Sequence, residues 1–243
     1  ETLDDRSFAR WCMLSDKITD KIHTPILPTY HLERAYKYFL SEGYEEEQAQ
    51  ILLYLGRSYA EDGDYDQAMT IYTKALEVAE KNTFENLTGY INCYIGDLYE
   101  EKGMFEQANT KYKLGAKHFR LAQNFDSYAC ALRDIGREYA GMDSLSQALK
   151  VMFMADSIAN MSKNIAIKAS ILNGIGNIYL IQQKYDKAKP YYHKALLHGT
   201  NIMPNYIALV QMYIETDSLA KARDILQTLP QENPEYAYSI NNL

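Results

Sequence analysis

One tryptophan, three cysteines and six prolines in 243 residues leave several structural classes little to work with. Cys12, Cys93 and Cys130 cannot all pair within one chain, and no two stand in C-x-x-C spacing, so neither a disulfide framework nor a cysteine zinc site is expected. Idle thiols are the expected state. No apolar run approaches the ~18 residues that cross a bilayer, so no membrane insertion by this segment is expected. Positive charge is also short: 25 Lys and Arg stand against 32 Asp and Glu, a net charge of -7. Such a surface repels phosphate backbones, and nucleic-acid binding by this segment is not expected. Charged residues at 23% and hydrophobic residues at 47% exclude wholesale disorder and a collagen-like or coiled-coil composition. The chain opens on Glu1 rather than Met and shows no signal peptide, so a processed or excerpted chain is expected. Its compartment is then either the cytoplasm or, with a signal removed, the periplasmic side of a bacterial envelope.

Tyrosine is the residue in excess, with 22 Tyr against 7 Phe. Many of them fall on a repeat. Gly56, Gly96, Gly136 and Gly176 are 40 residues apart, and each is followed three residues later by Tyr59, Tyr99, Tyr139 or Tyr179. Twelve residues after each glycine stands Ala68, Ala108, Ala148 or Ala188, and four further on Tyr72, Tyr112, Met152 or Tyr192. Ile51, Leu52, Leu55 and Tyr59 form a helical stripe with no strand alternation. Turns are expected at Asp62-Gly63-Asp64 and its equivalents, with Asp66, Glu106, Ser146 or Asp186 in the opening turn of the next helix. Pro190 is expected in the first turn of its helix, where a missing N–H has no partner to lose.

Leu52-x2-Leu55-Gly56-x2-Tyr59 followed by Ala68-x3-Tyr72 resembles the tetratricopeptide repeat. Further copies start at Asn92, Leu132 and Leu172, and a weaker one runs Tyr206-x2-Leu209-Val210-x2-Tyr213 to Ala222-x3-Leu226. The resemblance implies an all-α, right-handed solenoid of antiparallel helix pairs. Glycine and alanine would admit a close crossing of the two helices, and the tyrosines would fill the wedge between pairs. Gly136→Leu is expected to destabilise strongly and Gly136→Ala mildly. The period is six residues longer than the family's 34, which is read as nearly one extra turn on each helix and a deeper groove. The interval from Ala188 to Ala222 returns to 34.

The repeats divide the chain, read as a single solenoid, into a degenerate leading pair at 1–46 (Ser7 to Asp20 and Thr29 to Gly43), four units at 47–88, 89–128, 129–168 and 169–202, a weak fifth at 203–230, and the start of a truncated repeat at 231–243. Tyr236, Tyr238, Ile240 and Leu243 make that end apolar, so continuation of the chain or self-association through it is expected.

No catalytic constellation is found and no metal or cofactor is expected. His193 and His198 are five apart, the wrong spacing for two ligands on one helical face. Gly174 and Gly176 lack the third glycine of a nucleotide loop, and Tyr179 stands in its place. Glu45-Glu46-Glu47 reads as a solvated helix end, and Met152, Met154 and Met161 as packing. The resemblance points instead to the concave face, lined by first helices. The inward candidates are Arg57, Asp97, Arg137, Asn177 and Gln211, one residue after each glycine or its equivalent, with Arg133 and Asn173 four residues before Arg137 and Asn177. An asparagine bonds both a peptide N–H and a C=O, and an arginine grips a carboxylate. Arg57, Asp97 and Arg137 alternate in sign and fit a salt-bridge ladder as well as a ligand site. Asn173 and Asn177 need no ladder partner and are read as ligand contacts. Cys93 and Cys130 would fall on adjacent first helices. The expected function is a non-enzymatic scaffold for a protein or extended peptide; the alternative is a ligand-sensing or regulatory segment of a larger bacterial signalling protein or transcription regulator with its output beyond Leu243.

Overall fold

A computed structural model describes residues 4–22, 26–42, 44–161, 164–198 and 203–228. Among the described residues there are twelve α-helices and no strand: α1 (Asp5–Ile22), α2 (Thr29–Glu42), α3 (Glu45–Glu61), α4 (Tyr65–Lys81), α5 (Glu85–Glu101), α6 (Phe105–Leu121), α7 (Phe125–Gly141), α8 (Leu145–Ala159), α9 (Ile165–Ile181), α10 (Tyr185–His198), α11 (Met203–Glu215) and α12 (Leu219–Thr228). Ahead of α3, α1 and α2 pack against each other. The apolar segment at Tyr236 to Leu243 lies outside the described residues.

The long period has a simple origin. Two 17-residue helices and two three-residue turns fill one 40-residue repeat. Where the interval drops to 34, α10 and α11 are 14 and 13 residues long. The extra residues therefore lengthen helices rather than loops.

The turns share one backbone device. Gly63, Thr83, Gly103, Gln123, Asp143, Gln183 and Asp217 all have positive φ, between 53° and 79°. In each turn the next residue's N–H reaches back five residues, as in Asp64 to the Tyr59 carbonyl at 2.8 Å and Phe84 to the Ala79 carbonyl at 2.9 Å. This left-handed cap satisfies carbonyls that the helix end would strand. At the opposite end, Asp64 accepts the Gln67 N–H and Asn164 the Ile167 N–H. Pro190 departs from expectation: it is the sixth residue of α10, in the second turn, so the Asp186 carbonyl loses its α-helical donor.

The helices form two compact units, residues 1–124 and 125–243. In the first, α1/α2, α3/α4 and α5/α6 pack as successive pairs; in the second, α7/α8, α9/α10 and α11/α12 do so. Within each unit the first helices also touch: α1 with α3, α3 with α5, α7 with α9, α9 with α11.

The repeat residues meet inside each pair. A Cβ placed on Gly56 would run into the Tyr72 ring; on Gly96 it would stand 2.7 Å from Tyr112, and on Gly176 2.6 Å from Tyr192. Each glycine is thus the seat of the aromatic ring sixteen residues later, and that ring is buried. The third repeat puts Met152 over Gly136 at 2.8 Å and over Gly174 at 2.8 Å, so a flexible thioether fills a slot between two glycines. The wedge role expected of the tyrosines holds for Tyr72, which also stacks on Tyr94 of the next pair at 5.9 Å, and for Tyr59, whose hydroxyl donates to Glu33 of the preceding pair at 2.7 Å. Ala68, Ala108, Ala148 and Ala188 are completely buried.

Candidate functional site

In two of the repeats the residue after the glycine is tied to the ring seated on that glycine. Tyr112 donates its single hydroxyl proton toward Asp97 Oδ1 at 2.6 Å or Glu100 Oε2 at 2.7 Å. Tyr192 donates to Asn177 Oδ1 at 2.9 Å. Both tyrosines are buried, so the acceptors satisfy hydroxyls that would otherwise be stranded. Burial raises the Tyr112 phenol far above its ordinary value, and the Asp97 charge adds to it. In the third repeat the ring is replaced by Met152, which has no proton to give, and the position holds Arg137.

In the first unit, the Arg57 guanidinium lies over the Tyr94 ring, 5.1 Å from its centre. Arg57, Asp97, Tyr72 and Tyr94 line a cavity of about 270 Å³. Burial pushes the Tyr94 phenol up to about 12, with Arg57 pulling the other way. Beside it runs a larger cavity, about 660 Å³, on the first-helix side of α3 and α5. Leu53, Tyr54, Phe84, Tyr90 and Tyr94 give it an aromatic and apolar wall; Gln50 and Asn86 add amides, Glu46 and Glu85 add negative charge, and Lys17 of α1 adds one positive charge. Of these, Leu53 stands four residues before Arg57, as Arg133 stands before Arg137; the tyrosines at Tyr54, Tyr90 and Tyr94 lie outside the columns counted from the glycines. Their signal was present in a weak form, because Tyr90 and Tyr94 are i, i+4 on one face of α5.

In the second unit, Asn173 and Asn177 are bonded to one another and to neighbouring helices. Asn177 Nδ2 donates to Asn173 Oδ1 at 3.2 Å, and Asn173 Nδ2 donates to Asn205 Oδ1 at 3.0 Å. With Tyr192 these residues form a chain of side-chain hydrogen bonds across α10, α9 and α11, ending at the buried Asn205. The cause is geometric: fifteen residues separate Tyr192 from Asn177, and only pairing of α9 with α10 brings them into contact. Arg133 and Arg137 share Asp134 on their own helix, at 2.8 Å and 3.3 Å. Arg133 also donates to Ser170 Oγ of α9 at 3.1 Å, one turn from Asn173. Gln211 is exposed and donates to Glu215 at 3.0 Å.

No disulfide joins Cys12, Cys93 and Cys130. A Cβ on Gly115 would stand 2.5 Å from Cys93 Sγ, so this sulfur packs into the α5/α6 crossing. Burial raises the Cys130 thiol, which disfavours the reactive thiolate. Among the described residues no group of three or more His, Cys, Asp or Glu is placed to hold a metal ion, and no helix is long and apolar enough to cross a membrane.

Residues 47–120 match one tetratricopeptide-repeat model, and residues 169–198 match another. A search of curated proteins finds no match. Among solved structures the chain is similar to BtubC from P. vanneervenii, with TM-score 0.67, 16% identity, and 100% of this chain and 94% of that one covered. It is similar to PilF of Pseudomonas aeruginosa, with TM-score 0.63, 14% identity, and 98% and 97% covered. NprR, solved in complex with its cognate peptide NprX, gives TM-score 0.66 at 16% identity, covering 93% of this chain and 67% of NprR. At these identities the likeness concerns the fold, and that fold is the stacked helix pair seen in both units. Four glycines each seating the ring or thioether of the partner helix, the pairwise packing and the family matches agree: residues 47–120 and 169–198 are tetratricopeptide-type repeats, and the other described helix pairs follow the same pattern.

Proposed function

We propose that the chain is a non-enzymatic binding module whose first-helix faces hold an extended peptide. The supporting observation is the cavity of about 660 Å³ on α3 and α5. It combines an aromatic wall with amides that can meet a peptide backbone, the usual make-up of a recognition surface. Arg57 and Asp97 border it through the shared Tyr94. On the second unit, Arg133 and Arg137 would meet a carboxylate, Asn173 and Asn177 a peptide backbone, and Gln211 would extend the row. That NprR has been solved with a peptide supports the reading by analogy of fold alone.

The test is a peptide-library screen on the whole chain, followed by calorimetric titration of a selected sequence. Tyr90→Ala should weaken binding about tenfold or more, as expected for an aromatic contact at the centre of an interface. Arg137→Ala should weaken peptides bearing a carboxylate more than their amidated forms. Failure to select any peptide, or binding unaffected by both substitutions with the fold intact, would reject the proposal.

A further inference from the structure

A third cavity, about 250 Å³, lies where α1, α2 and α3 converge. It is built differently from the aromatic groove. One stripe of α1 supplies Arg6, Arg10, Met13, Leu14 and Lys17, at i, i+4, i+7, i+8 and i+11. Phe39 of α2 closes the floor, and Leu14 is 61% exposed. Three cations therefore surround a mostly apolar hollow, in a chain whose net charge is -7.

The cations have no evident internal purpose. Among the described residues none of the three is ion-paired, and the one carboxylate lining the cavity is Glu47. Like charges at i, i+4 destabilise a helix, so Arg6 and Arg10 stand together against the helix's own interest. Both act on one point: burial and Glu42 raise the Tyr38 phenol, while Arg6 and Arg10 pull it down. The two guanidiniums are thus within electrostatic reach of one hydroxyl at the cavity wall.

We propose that this cavity binds a small amphipathic carboxylate, an anionic head on a short aliphatic body. The head sits among Arg6, Arg10 and Lys17, and the body covers Met13, Leu14 and Phe39. The volume falls just short of the roughly 300–1,000 Å³ typical of drug-sized ligands, which favours a body of modest length. Apolar surface rewards each buried methylene, and a guanidinium pairs with a carboxylate in a bidentate fork.

The probe is decanoate, titrated calorimetrically into the full chain below its micelle-forming concentration. Saturable binding is expected, with 1-decanol at least tenfold weaker because it lacks the charge. Arg6→Met with Arg10→Met together should weaken decanoate at least tenfold, and Lys17→Met alone should weaken it measurably. Thermal melts of these variants should match or slightly exceed the parent, because the replaced groups are exposed and unpaired among the described residues and removing both arginines relieves their repulsion. Leu14→Asp should abolish binding by placing a like charge in the cavity. Absence of saturable binding to the parent overturns the proposal. So does decanol binding equal to decanoate, or Lys17→Met and the double variant, folded, binding as the parent does. Displacement of decanoate by a short Asp- and Glu-rich peptide of equal or higher affinity would also overturn it, in favour of an acidic protein segment.

Discussion

Tyr112 and Tyr192 each carry a buried hydroxyl, and each finds its acceptor fifteen residues earlier, on the residue after the glycine that seats its ring. In these two repeats the residue at that column follows from the pairing, since Asp97 and Asn177 accept; Arg57 instead lies over Tyr94, and Arg137 faces a repeat whose seat is filled by Met152. Asn177→Ala should therefore cost about 1 kcal/mol of stability, and the cost should largely vanish in a Tyr192→Phe background. A double-mutant cycle by denaturant unfolding checks the coupling. The glycine seats differ in a testable way. Gly56→Ala drives a methyl into the Tyr72 ring and should destabilise by about 1–3 kcal/mol, while Gly136→Ala meets the more adaptable Met152 and should cost less. Asp16 gives a pH signature. Its carboxylate is buried, accepts the Leu27 N–H at 3.1 Å, and burial raises its pKa from 3.8 to about 6. A raised carboxyl pKa favours folding when protonated, so its contribution is full below about pH 3.8 and lost as pH rises through about 6. Asp16→Asn should raise neutral-pH stability by an amount on the order of 2 kcal/mol and flatten the melting temperature across that window. Equal melting temperatures for parent and variant at pH 7 would contradict it.

At the scale of the element, helix positions were legible because the stripe of Ile51, Leu52, Leu55 and Tyr59 recurs with the period of a helix and the repeat fixes each boundary. The turn conformations were only half legible. Gly63 and Gly103 announce a left-handed residue, but Thr83, Gln123, Asp143, Gln183 and Asp217 adopt the same conformation without the residue that signals it. Packing of the helix pair imposes the turn and overrides local preference. A branched side chain there is strained, so Thr83→Gly should stabilise by about 0.5–1 kcal/mol, the left-handed penalty of roughly 1–2 kcal/mol less the entropy glycine gives the unfolded chain. A chemical-denaturation comparison decides it, and an unchanged or lower stability would show that Thr83 makes compensating contacts. Pro190 was misplaced for a related reason: proline marks the start of a helix in isolation, while α10 is set by its register against α9 and begins five residues earlier.

At the scale of the whole molecule, repetition sets the surfaces that recognition would use. First helices line up beside one another in each unit, so any side chain at a fixed distance from the repeat glycine becomes a column. Counting from the glycine located Arg57, Asp97, Arg133, Arg137, Asn173, Asn177 and Gln211, but could not tell which of them the fold engages internally. That depends on the partner helix, as Tyr192 shows for Asn177. The aromatic wall escaped the count because Tyr54, Tyr90 and Tyr94 occupy columns that other repeats fill with small or polar residues, Cys130 and Ser170 among them. Hydrogen–deuterium exchange of the full chain, with and without a library-selected peptide, tests the central claim most directly. The account predicts added protection along α3 and α5, centred on the Leu53 and Tyr90 turns that border the cavity of about 660 Å³, with α4 and α6 unchanged. Protection confined to the second helices, with α3 and α5 exchanging as in the free chain, would contradict it.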